Sequence, residues 1–100
     1  GYGTEPNPEK AIEMYDRAIN DRNSDYARVE KGFCYEAGFG VEKSYEEAFK
    51  LYQQAAENGY AYANIKLGYY YQNGLVGEED LENAFESFKK AADEGLSEGQ

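Results

Sequence analysis

Apolar residues fall at helical spacing along most of the chain. Ala63, Leu67, Tyr71 and Gly74 stand at i, i+4, i+8 and i+11, which places one stripe along one side of a helix. Ala27, Lys31, Tyr35 and Gly38 form the same stripe earlier, with a lysine where the later one has leucine. The stem of Lys31 is expected to lie along the apolar surface while its amine reaches water. A second kind of helix is marked by small residues around one aromatic: Ala48, Tyr52, Ala55 and Ala56, then Ala84, Phe88, Ala91 and Ala92. The pattern predicts helices of a first type, A, over about 24–37 and 60–73. It predicts helices of a second type, B, over about 8–21, 44–58 and 80–94. The order is B-A-B-A-B, five helices and no strands.

Punctuation supports these limits. Asn7 precedes Pro8, a capping side chain before a proline at the first helical position. Ser44 and Glu47 have the spacing of a capping box, and Asp80 is placed to cap the last helix. Gly38, Gly59, Gly74 and Gly95 stand where helices are expected to end.

The two types alternate with a fixed period. Ala27, Gly32, Tyr35, Gly38, Ala48, Tyr52, Ala55 and Gly59 recur 36 positions later as Ala63, Gly68, Tyr71, Gly74, Ala84, Phe88, Ala91 and Gly95. Gly1, Gly3, Ala11, Tyr15 and Ala18 match Gly38, Gly40, Ala48, Tyr52 and Ala55 at an offset of 37. A period of this size marks a repeat array whose units bury their apolar faces against one another. Residues 1–23 read as the second half of a unit, 24–59 and 60–95 as full units, and 96–100 as the start of another. The chain lacks an initiator Met, begins inside a Gly-x-Gly loop and ends on the start of an expected helix. It therefore reads as a segment of a longer array.

The motif Ala63-x-x-x-Leu67-Gly68-x-x-Tyr71-x-x-Gly74, followed by Ala84-x-x-x-Phe88-x-x-Ala91-Ala92-x-x-Gly95, resembles the Sel1-like (Sel-one-like) repeat, a branch of the tetratricopeptide superfamily. The second unit resembles it through Ala27, Gly32, Tyr35, Gly38-x-Gly40-Val41, Ala48, Tyr52, Ala55-Ala56 and Gly59. The chain departs from the family where a Trp is common in helix B, at Met14, Leu51 and Ser87, and in the loop Gly74-Leu75-Val76-Gly77. The resemblance implies an all-α, right-handed α-solenoid of antiparallel helix pairs, acting as an adaptor or scaffold rather than an enzyme. A family subtype with paired cysteines in each unit is excluded by the single Cys34.

On the side of helix A away from the Leu67 stripe, Tyr62, Ile65, Tyr69 and Gln72 fall within an arc of about 80°. Tyr26, Val29, Phe33 and Glu36 are the equivalent row. In repeats that resemble tetratricopeptide units this side lines a concave groove, which suits a partner peptide or helix. The row also fits a plainer role, filling the seam between neighbouring A helices. Two functions follow: a protein-interaction module, or a structural spacer within a longer array whose exposed ends would self-associate end to end.

Composition narrows the partners. The chain carries 10 Lys and Arg against 20 Asp and Glu, net −10. Nucleic acid and anionic membranes both require clustered positive charge, so neither is expected as a partner, whereas a basic protein is. Residues 78–100 alone hold eight acidic and two basic side chains; they read as a solvated face or a docking surface for a basic protein. There is no His, which removes the commonest general base and metal ligand. Cys34 has no base to activate it and reads as a small buried hydrophobe. The acidic run Glu78-Glu79-Asp80-x-Glu82 lies at a helix N-terminus, where the dipole stabilises it, and lacks EF-hand spacing. No catalytic residue, cofactor or metal is expected.

Overall fold

A computed structural model of the chain describes residues 7–99, and side chains as far as Gly95. It contains α1 (Pro8–Arg22), α2 (Asp25–Ala37), α3 (Tyr45–Glu57), α4 (Ala61–Asn73) and α5 (Leu81–Gly99), with no strand among the described residues. The helices α2 and α4 are type A; α1, α3 and α5 are type B.

Local chemistry sets most of the boundaries. Asn7 Oδ1 accepts from the Lys10 N–H at 3.0 Å, and Pro8 opens α1. Ser24 Oγ caps α2 through the Ala27 N–H, and Asp80 Oδ1 caps α5 through the Asn83 N–H, each at 3.0 Å. Only half of the expected capping box forms. Ser44 Oγ accepts from the Glu47 N–H at 3.2 Å, but the Ser44 N–H donates to the Tyr35 carbonyl and so has no need of the Glu47 carboxylate. Gly38 and Gly74 close α2 and α4 in the left-handed conformation. Gly95 does not end a helix: α5 runs through it to Gly99. Among the described residues nothing lies within 4 Å of where a Gly95 Cβ would be.

Paired helices are antiparallel. Asn58 Nδ2, just past the end of α3, reaches Asp25 at the start of α2 at 2.8 Å. Asn64 Nδ2 near the start of α4 reaches Glu94 late in α5 at 3.0 Å. Within each pair an aromatic ring of helix B lies against a glycine of helix A. A Cβ placed on Gly32 would come 2.5 Å from Tyr52 Cε1, and one on Gly68 would come 2.5 Å from Phe88 Cε1. Around the first contact Val29, Ala48, Tyr52, Ala55, Ala63, Leu67 and Tyr70 form the core.

Helix pairs stack in line. The helix backbones pack mainly against their neighbours in sequence. The extents are 46 × 33 × 26 Å and the radius of gyration is 14.6 Å, above the ~13 Å of a rounded chain of this length. The next A helix covers the outer side of each B helix: Tyr45 and Phe49 of α3 meet Tyr70 of α4 at 6.0 and 5.9 Å between ring centroids. Their counterparts on α5, Leu81 and Phe85, are exposed. Lys31 also finds a partner: its ammonium pairs with Asp16 of α1 at 2.5 Å instead of reaching open water.

These contacts set opposite signs for the same substitution. Gly95→Ala, in open helix, should stabilise the fold by about 0.5–1 kcal/mol through helix propensity. Gly32→Ala gains that term but drives a methyl into the fully buried ring of Tyr52, and should destabilise by about 1–3 kcal/mol net. Urea unfolding of the two variants checks both signs.

Candidate functional site

The eight residues of the expected surface row do not share one environment. Tyr26, Tyr62 and Tyr69 are exposed by 61%, 47% and 50%, and Gln72 is exposed. Phe33, Glu36 and Ile65 are half-buried. Val29 is 2% exposed and belongs to the core cluster, so it supports the row from beneath and presents no surface.

Phe33 and Glu36 are held by the neighbouring A helix. Tyr62 packs edge-on against Phe33 with centroids 6.2 Å apart, and Phe33 packs edge-on against Tyr52 at 6.4 Å. The Lys66 ammonium lies 4.7 Å from the Phe33 ring centre and 5.6 Å from that of Tyr52. It also stands 3.4 Å from Glu36 Oε1, while the Tyr70 hydroxyl donates to Glu36 Oε2 at 2.5 Å. One carboxylate thus receives an ammonium and a phenol, and two rings receive the same ammonium on their faces. The seam between α2 and α4 is filled by these groups. Tyr62 is the exposed tyrosine on this seam, whereas Tyr69 rests edge-on against Phe88 of α5 at 5.4 Å.

Lys66 and Tyr70 were not part of the expected row, yet they anchor it. The periodicity aligned A helices position by position and so compared Lys66 with Glu30, and Tyr70 with Cys34. The contacts instead join residues 30 and 34 positions apart. A search for opposite charges at that offset between successive A helices would have found Glu36 and Lys66.

Burial sets the titration of the phenols. Tyr70 is raised above its usual value by burial and by its bond to Glu36. Tyr52 is raised by burial and the Glu36 charge, and its hydroxyl has no hydrogen-bond partner. Burial also raises Tyr15, beside Glu30, and Tyr60. Cys34 is buried and its thiol is likewise pushed up, the state of an unreactive sulfur. Among the described residues no group of three or more His, Cys, Asp or Glu is arranged to hold a metal ion. No described helix is long and apolar enough to cross a membrane.

The Sel1 repeat family model matches residues 1–23, 27–60 and 61–96. The chain belongs to the Sel1 repeat family. It is 32% identical to a Sel1 repeat protein from Oxalobacter formigenes, with a TM-score of 0.81; the match covers 92% of this chain and 37% of that one. It is 29% identical to a protective antigen of uropathogenic Escherichia coli that displays an SLR fold. That TM-score is 0.82, and the match covers 97% of this chain and 21% of that one. The chain thus spans well under half the length of either relative. No curated protein matches it. Sel1 repeats are generally protein-interaction modules.

Two outcomes follow from this seam. The four phenols have folded-state values above their unfolded ones, so their contribution to stability is complete below about pH 10 and is lost as pH rises through the folded-state values. Tyr52 and Tyr70, the two largest shifts, should therefore ionise only with alkaline unfolding, read as a late rise in tyrosinate absorbance coincident with loss of helical signal. Glu36→Ala leaves Lys66 and the Tyr70 hydroxyl without their acceptor. Its expected cost, read from chemical denaturation, is roughly 1–3 kcal/mol.

Proposed function

We propose that the chain binds a peptide or helix of a partner protein on the surface formed by α2 and α4. The exposure of Tyr26, Tyr62 and Tyr69 on two helices that Phe33, Glu36, Lys66 and Tyr70 tie together carries this reading. Large rings held at their base but open above are pre-positioned, so a partner gains contact area at little cost in ordering. Each well-covered ring is worth roughly 1.5–3 kcal/mol, and two or three support micromolar binding after association costs. Glu36 stiffens the surface through Lys66 and Tyr70, half-buried Ile65 belongs to the same row, and Gln72 offers a polar contact at its edge. An overall charge of −10 favours a basic partner through faster encounter. Neither a cofactor nor a metal enters this function.

The spacer reading has one observation in its favour, the exposed Leu81 and Phe85 on α5. The two readings separate on one experiment. Peptides selected against the intact chain from a random library are mapped by amide chemical shifts. Interaction on α2 and α4 predicts shifts at Tyr26, Tyr62 and Tyr69, and about ten-fold weaker binding by Tyr62→Ser/Tyr69→Ser with the helical fold intact. Shifts confined to α5, accompanied by concentration-dependent oligomers, would assign the chain to the spacer class.

A further inference from the structure

Two successive repeats treat the space between their B helices differently. In the earlier one α2 sends two cations toward α1. Lys31 pairs with Asp16 of α1, and its ammonium lies 6.0 Å from the centre of the Tyr35 ring. Arg28 reaches Asp25 and the carbonyl of Asn23, the residue that ends α1. Leu51 of α3 is half-buried. One period later the counterparts of Arg28, Lys31 and Leu51 are Asn64, Leu67 and Ser87, each shorter or uncharged. A cleft of about 220 Å³ opens there between α3 and α5, floored by Asn64, Leu67 and Tyr71 of α4. That is below the roughly 300–1,000 Å³ of cofactor and drug sites, and suits a single side chain.

The lining is short of donors. Ser87 is 7% exposed and Asn64 3%, and both line the cleft. Asn64 Nδ2 donates to Glu94 Oε1 at 3.0 Å, and its carbonyl oxygen accepts from no described residue. The Ser87 hydroxyl likewise bonds to no described residue. Polar groups this deep cost free energy when unmet, and a ligand's N–H would offset it. Glu57 of α3 and Glu86 of α5 stand on the two walls, with Lys90 the one cation of the lining. Glu86 replaces Lys50 of the earlier unit, so that wall has reversed its charge. Tyr71 keeps the ring that in the earlier unit, as Tyr35, lies under the Lys31 ammonium. We infer that the cleft between α3, α4 and α5 receives an arginine side chain of a partner protein. The guanidinium takes the place of the cations that the earlier unit supplies itself. It lies on Tyr71, with donors to Glu57, Glu86 and the open oxygens of Asn64 and Ser87. Acceptors spread over three helices suit its fork of five donors better than the point charge of a lysine.

This cleft lies on the Leu67 side of α4, away from Tyr62 and Tyr69, and stands whether or not those rings bind a peptide. The probe is N-acetyl-arginine methylamide, with N-acetyl-citrulline methylamide as a neutral control of nearly the same shape. Each is titrated into the intact chain and followed by amide and side-chain chemical shifts. The arginine compound should give saturable shifts centred on Asn64, Tyr71 and Ser87. Its dissociation constant should be millimolar and at least about three-fold below that of the citrulline compound, the scale of a partly exposed ion pair. Ser87→Leu installs the residue of the preceding unit and should abolish the shifts at Asn64 and Tyr71. Glu86→Lys, a change at an exposed position, should weaken binding by about three-fold or more. Tyr62→Ser/Tyr69→Ser should leave it unchanged, which separates this site from the other surface. Circular dichroism confirms that each variant is folded. Absence of shifts in the cleft, equal binding of the two compounds, shifts spread over carboxylates elsewhere, or binding unmoved by Ser87→Leu and Glu86→Lys would each overturn the inference.

Discussion

Each helix pair depends on an aromatic ring pressed onto bare backbone. Tyr52 lies on Gly32 and Phe88 on Gly68, so close that a single methyl has no room. A contact this short brings the two helix axes together and leaves one arrangement for the side chains around it. Everything outward follows. Fixing α3 against α2 orients the outer side of α3, on which Tyr45 and Phe49 receive α4. Fixing α4 sets Lys66 and Tyr70 above Glu36, and that seam leaves Tyr62 and Tyr69 facing outward. The exposed rings are thus the far end of a chain of contacts that begins at two glycines.

How far this could be read from the sequence depended on the range of each signal. Helix type and order were legible because spacing along one helix and capping side chains act within a turn or two. The caps at Asn7 and Asp80 formed as their residue types required. Ser44 shows the limit: its hydroxyl caps locally, but its N–H is taken by Tyr35, a residue brought close by folding. Gly95 shows another. A glycine permits a helix to end without requiring it to: α5 continues through Gly95 to Gly99. The surface row was legible as a row, yet Val29 lies under it, because an arc of 80° on a helix also reaches the side that the paired helix covers. Lys66 and Tyr70 escaped notice because they act on the preceding repeat.

Charge is distributed with a purpose that net charge conceals. Four ion pairs occur among the described residues, and the two between helices join successive units: Lys31 with Asp16, and Lys66 with Glu36. A repeat docked one turn out of step would leave these part-buried charges without their counterparts. The surplus carboxylates lie mostly outward, where they cost little and keep a surface rich in tyrosine soluble. A Sel1 repeat segment built this way can show rings to solvent without inviting indiscriminate contact.

The helix backbones pack mainly against the helices next to them in the chain, and among the described residues the side-chain contacts that skip a helix reach only the preceding A helix. Such a topology carries tension differently from a globule. Pulled from its two ends, it has no distant clasp to break first. It would yield hairpin by hairpin at modest force, and each released piece could refold quickly because its partners lie close along the thread. The molecule is in this sense an extensible element, able to lengthen under load and recover.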